Sequence, residues 1–121
     1  MRRTRLLLLT AGYAALIFYL SSRSTLPVPL PNFTGVDKVA HALEYSGLGF
    51  LVAWAVSSYG VPRRRVLLVA AIVCSLYGAS DELHQLFVPG RACDAFDWAA
   101  DTLGGACGAA AWFWATRKES R

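Results

Sequence analysis

Residues 66–83 read VLLVAAIVCSLYGASDEL, an unbroken apolar run that ends in two adjacent acids, Asp81 and Glu82. A run of this length is close to the roughly 20 residues with which a helix crosses about 30 Å of hydrocarbon. Three more runs of the same kind cover about 6–22, 39–59 and 96–116. Between them stand breakers: Pro27, Pro29 and Pro31, then Gly60 and Pro62, then Pro89-Gly90. The expectation is an all-α, polytopic membrane bundle of four transmembrane helices, a single domain over residues 1–121. The first run has the short basic start of a signal peptide. No A-x-A cleavage site follows it and three apolar runs come after, so it reads as an uncleaved span.

Composition agrees, with 55% hydrophobic and only 17% charged residues. Disorder is excluded, and a nucleic-acid partner would need a basic stripe on a polar surface that this chain lacks. Cys74, Cys93 and Cys107 are odd in number and form no CxxC pair, which points to neither a zinc site nor a disulfide framework.

The net charge of +4 hides a division. Nine of the twelve basic residues lie at the two ends of the chain and in Arg63-Arg64-Arg65, which the positive-inside rule assigns to the cytoplasm, with both termini inside. Trp54, Tyr59, Trp112 and Trp114 fall at the same depth, where interfacial anchors belong. Seven of the eight acids fall in the opposite half. That half carries −4 and the cytoplasmic half +8.

Helical spacing brings the outer acids together. Asp37, His41, Glu44 and Tyr45 stand at i, i+4, i+7 and i+8, on one face of the second span. Asp81 and Gln85 share a face of the third, continued inward by Gly78, Cys74 and Ala70. Asp94, Asp97 and Asp101 do the same on the fourth, continued by Gly104 and Gly108. Small residues four apart permit close helix approach in lipid, and an acid at mid-span costs about 2.5 to 3.5 kcal/mol, so these stripes should face inward. In the loop from His84 to Asp97, Phe87 and Val88 are expected to dip into the outer leaflet, while Pro89-Gly90 returns Arg91 over the acids.

The order Asp37-Lys38-x2-His41, then Asp81-Glu82-x2-Gln85-x-Phe87-Val88-Pro89-Gly90-Arg91, then Asp94-x2-Asp97-x3-Asp101-x2-Gly104-x3-Gly108 resembles the VanZ-like family of small bacterial membrane proteins. Asp101 stands where that family favours Asn. The resemblance implies a protein of the bacterial cytoplasmic membrane, associated with the cell envelope and with resistance to the glycopeptide teicoplanin. It also implies membrane lipids or lipid-linked envelope precursors as partners.

The resemblance further implies action on lipid head groups, by hydrolysis or head-group transfer, and the residues offer groups suited to it. His41, with an ordinary pKa of about 6.5, suits proton transfer and would be the general base or nucleophile. Asp37 or another acid would orient it, and Asp81, Glu82, Asp97 and Asp101 are hard oxygen ligands suited to Mg²⁺ or Ca²⁺. Arg91 is the best phosphate fork in the outer half, with Lys38 at its lip and Gln85, Tyr45 and Glu44 lining the substrate side. His84 and Cys93 are set aside as bystanders. The alternative is a non-catalytic membrane protein that binds or shields a lipid-linked precursor or a glycopeptide with the same groups. An ion-coupled transporter fits poorly, because the polar stripes stop in the outer half.

Overall fold

The computed structural model describes residues 1–23 and 35–120, so the proline-rich first connection with Pro27, Pro29 and Pro31 lies outside the described residues. Four long helices follow one another: α1 (Arg2–Ser21), α2 (Val36–Ser57), α3 (Arg63–Gln85) and α4 (Ala95–Ala115), closed by a 3-10 turn over Arg117–Ser120. α2 and α4 make the most extensive pairing, α3 packs against both, and α1 lies against α2 and α3.

Small residues set how close the helices come. A Cβ at Gly108 would fall on the Ser46 carbonyl, one at Gly104 on the Ala42 carbonyl, and one at Gly49 on the Gly105 carbonyl. The α2–α4 contact is therefore backbone against backbone, as the Gly104-x3-Gly108 spacing predicts. On the α3 side, Ala70 and Cys74 are fully buried, and Cys74 fills the space that Gly105 leaves.

Large apolar side chains point the other way. Leu8, Leu43, Leu68, Leu76, Leu83 and Leu103 are all exposed, whereas Asp81, Glu82, Asp97 and Asp101 are buried. Water would favour the reverse arrangement and lipid favours this one, because acyl chains solvate leucine and reject carboxylates. Three helices, α1, α2 and α3, are long and apolar enough to cross a membrane. α4 is 21 residues long but carries Asp97 and Asp101 among its alanines and glycines and does not reach that hydropathy.

The basic end of the bundle is knit by cations on carbonyls and rings. Arg3 donates to the Ser58 carbonyl at 2.9 Å and lies over Tyr59, joining the start of α1 to the α2–α3 connection. Arg63 donates to Thr116 Oγ1 at 2.9 Å and covers Trp112 and Phe113, joining that connection to the end of α4. Both chain ends thus lie at one end of the bundle. Tyr59 and Trp114 are exposed there as anchors should be, but Trp112 is buried under Arg63, which corrects its reading as an interfacial residue.

Candidate functional site

The opposite end holds the polar stripes. His41 lies in the second turn of α2, where its ring meets two α4 acids that are one turn apart. Its Nδ1 is 2.7 Å from Asp101 Oδ1, and its Nε2 is 3.8 Å from Asp97 Oδ2. Asp101 is fully buried, and the room for it comes from α3: a Cβ at Gly78 would stand 2.9 Å from the Asp101 Cβ and 3.0 Å from Oδ2. The small-residue row on α3 therefore accommodates a carboxylate as well as a helix.

Lys38, one turn before His41, serves a second group of acids. Its ammonium lies 2.8 Å from Asp37, 2.8 Å from Asp94 and 3.2 Å from Asp97. Asp94 caps α4 by accepting from the Phe96 N–H at 2.8 Å, and its own N–H donates to Glu82 Oε2 at 3.0 Å. Lys38, Asp94 and Glu82 thereby connect α2, α4 and α3 in series. The Lys38 hydrogen bond, helped by the Phe96 N–H, holds the Asp94 carboxyl below the usual carboxylate range.

The four groups His41, Asp81, Glu82 and Asp101 converge, each offering a ligand-type atom within 4.8 Å of the others. Asp37, Asp94 and Asp97 form a second such group. The sequence-based set for a cation therefore divides, with Asp97 standing beside Lys38 and His41 joining the buried acids. Tyr45 is fully buried beneath them and directs its hydroxyl to Asp81 Oδ2 at 3.4 Å, a long contact.

A small open cavity of about 50 Å³ reaches this cluster, lined in part by Asp37, His41, Glu44, Asp81 and Arg91. Its far wall is α1, through Leu20 and Ser21, which the sequence reading did not include. The Gln85 amide donates to the Ser21 carbonyl at 3.1 Å and to Ser21 Oγ at 2.5 Å. Arg91 Nε donates to the Arg23 carbonyl at 3.0 Å, with Nη2 3.4 Å from the Leu20 carbonyl. Arg91 thus borders the cavity from the end of α1, and among the described residues no acid pairs with it. The last carbonyls of a helix lack intrahelical donors, and they hold the guanidinium at the edge of the recess, where it lines the same space as Asp37, Asp81, Asp94 and Asp97 without an ion pair to any of them.

Two expectations for the loop also change. Phe87 is 83% exposed, as a lipid-dipping residue would be, but Val88 is buried and braces the loop from inside. Gly90 takes the left-handed turn at φ +78° that Pro89-Gly90 predicts. His84 lies away from the cavity, stacked on Phe18 at 4.6 Å and 2.9 Å from Ser22 Oγ. The only sequence signal for the α1 wall was Ser21-Ser22 at the end of the first apolar run.

Leucines outward and carboxylates inward around one recess define a helical membrane protein with a buried polar site. The chain belongs to the VanZ/LLP1 family, whose model matches residues 3–116. No curated protein and no solved structure matches it.

Proposed function

We propose that this VanZ/LLP1 protein crosses the bacterial cytoplasmic membrane four times, with both termini in the cytoplasm and its polar recess facing outward. There it acts on a lipid head group or a lipid-linked envelope precursor, by hydrolysis or head-group transfer. The observation that carries the reading is the His41–Asp101 pair at 2.7 Å, opening on a cavity bordered by Arg91. An imidazole held by a buried carboxylate is a proton-transfer group, and positioned proton transfer contributes about 10² to 10⁴ in rate. The guanidinium has donors beyond those engaged with α1, and these would meet a phosphate entering from the outer leaflet.

The topology follows from the same charges. Arg2, Arg3, Arg5, Arg63, Arg64, Arg65, Arg117 and Lys118 belong to the end remote from the recess, and by the positive-inside rule this supports a cytoplasmic location for that end. The α4 acids do not prevent α4 from spanning, because they turn toward α2 and α3 and away from lipid. A role in glycopeptide resistance would run through the same lipid-linked precursor.

The test is incubation of the purified protein in lipid discs with phospholipids, undecaprenyl phosphates and lipid-linked peptidoglycan precursors, read by mass spectrometry. A product that appears with the wild type and is lost in His41→Ala supports the reading. Saturable binding without product would replace it with the non-catalytic binder.

A further inference from the structure

We propose that His41, Asp81, Glu82 and Asp101 form a site for one divalent transition cation of the Mn²⁺ or Zn²⁺ type, where α2, α3 and α4 meet. The inference rests on the recess of the proposed reaction and assigns it a cofactor.

Geometry supplies the first argument. One ligand atom from each of the four residues lies within 4.8 Å of all the others. Bonds of about 2.0 to 2.3 Å place opposite ligands of one ion about 4 to 4.6 Å apart, so the cluster is near ligating dimensions before any rearrangement.

Unmet polar atoms supply the second. Glu82 is 4% exposed and Asp101 0%, yet Glu82 Oε1 and Asp101 Oδ2 have no hydrogen-bond partner among the described residues. A buried carboxylate oxygen without a donor is costly, and three buried carboxylates around one imidazole compound that cost. The nearby cations of the chain are committed elsewhere. Lys38 is shared by Asp37, Asp94 and Asp97, and Arg91 holds the carbonyls of Leu20 and Arg23. The two acidic groups thus differ in kind: one has an ammonium at its centre, and the other calls for a cation from outside the chain.

Ligand chemistry narrows the ion. Carboxylates alone suit Mg²⁺ or Ca²⁺, whereas an imidazole nitrogen among them favours Mn²⁺ or Zn²⁺. The ion would replace the proton between His41 Nδ1 and Asp101 Oδ1. Nε2 would then carry the imidazole hydrogen and point it toward Asp97 Oδ2, 3.8 Å away, the position an outer carboxylate takes behind a ligating histidine. Positive charge at this point also offsets the excess of acid that would repel a phosphate.

The full-length protein, purified in detergent and stripped with chelator, is titrated with Mn²⁺ alone and followed by electron paramagnetic resonance. Expected are saturable uptake of one ion per chain, competition by Zn²⁺, and a nitrogen modulation in pulsed spectra that His41→Gln abolishes. Asp101→Asn and Glu82→Gln should each weaken uptake by about tenfold or more, while Glu119→Gln, an exposed acid at the opposite end of the bundle, stays within about twofold of wild type. Mn²⁺ should also raise the melting temperature of the wild type, a reading that needs no variant to fold. No saturable uptake, uptake without the nitrogen signal, or uptake indifferent to both Asp101→Asn and Glu82→Gln overturns the site. No substrate is present, so a protein that takes up Mn²⁺ but turns over no lipid refutes the reaction alone, and the converse refutes the cation alone.

Discussion

His41 Nδ1 and Asp101 Oδ1 meet at 2.7 Å across 60 positions of sequence, and the contact joins α2 to α4 at the depth of the recess. His41→Ala and Asp101→Asn should each lower lipid turnover by about 10² to 10⁴, the range that positioned proton transfer supplies. Asp101→Asn keeps the shape and removes the charge. Full activity in Asp101→Asn would show that the carboxylate charge plays no part in the reaction, and would leave His41 to act alone.

Glycines at the α2–α4 contact should tolerate no side chain. A methyl at Gly108 meets the Ser46 carbonyl, which is helix backbone and cannot swing aside. Gly108→Ala should therefore destabilise the fold by about 1 to 3 kcal/mol, the usual cost of overpacking. Gly12 on α1 has nothing within 4 Å of an added Cβ, and Gly12→Ala should be neutral or stabilising by up to about 1 kcal/mol. Thermal melts in one detergent compare the pair directly. Equal melting temperatures for the two variants would contradict the close approach.

The Lys38–Asp94 tie should respond to acid in a defined direction. Asp94 has its carboxyl held below the usual range by Lys38, so its stabilising contribution is fully present above the unfolded value. It is lost as the pH falls through the lower, folded value. Asn is as good a helix cap as Asp, so Asp94→Asn removes the charge pair and leaves the cap in place. The variant should melt below wild type at pH 7, with the gap closing at pH values beneath about 3.9, the ordinary aspartate pKa. A gap that is unchanged in acid would assign the effect to something other than this pair.

Cysteine labelling tests the orientation. Cys93 is exposed in the loop beside the recess, whereas Cys74 is buried in the core. A membrane-impermeant maleimide should modify Cys93 in intact cells whose outer barrier has been opened, and leave Cys74 untouched until the protein is denatured. Labelling of Cys93 only after the inner membrane is broken would invert the proposed topology.

Much of this architecture is legible along the chain because lipid imposes a simple demand. Each span must be apolar for about 20 residues, and each acid within it must turn inward. The four helices accordingly lie close to 6–22, 39–59, 66–84 and 96–116, and the stripes Asp37-His41, Asp81-Gln85 and Asp97-Asp101 face one recess. Gly104 and Gly108 also do what their spacing indicates, because only missing side chains let two backbones touch.

Partners within the recess belong to a different level. Sequence periodicity places Asp97, Asp101, Glu82 and Lys38 at one depth and turns their stripes inward, but defines helix rotation no more finely than the width of a stripe. A rotation of a few tens of degrees decides which acid receives the ammonium and which the imidazole. Tertiary packing gives Asp97 and Asp94 to Lys38, groups His41 with Asp81, Glu82 and Asp101, and sends Arg91 and Gln85 to the end of α1. The sequence alone determined a bundle of apolar helices with acids at one end, since solvation in lipid acts on each span separately. Only the tertiary structure decided which charges are neutralised within the chain and which are left open, since that depends on distances between helices.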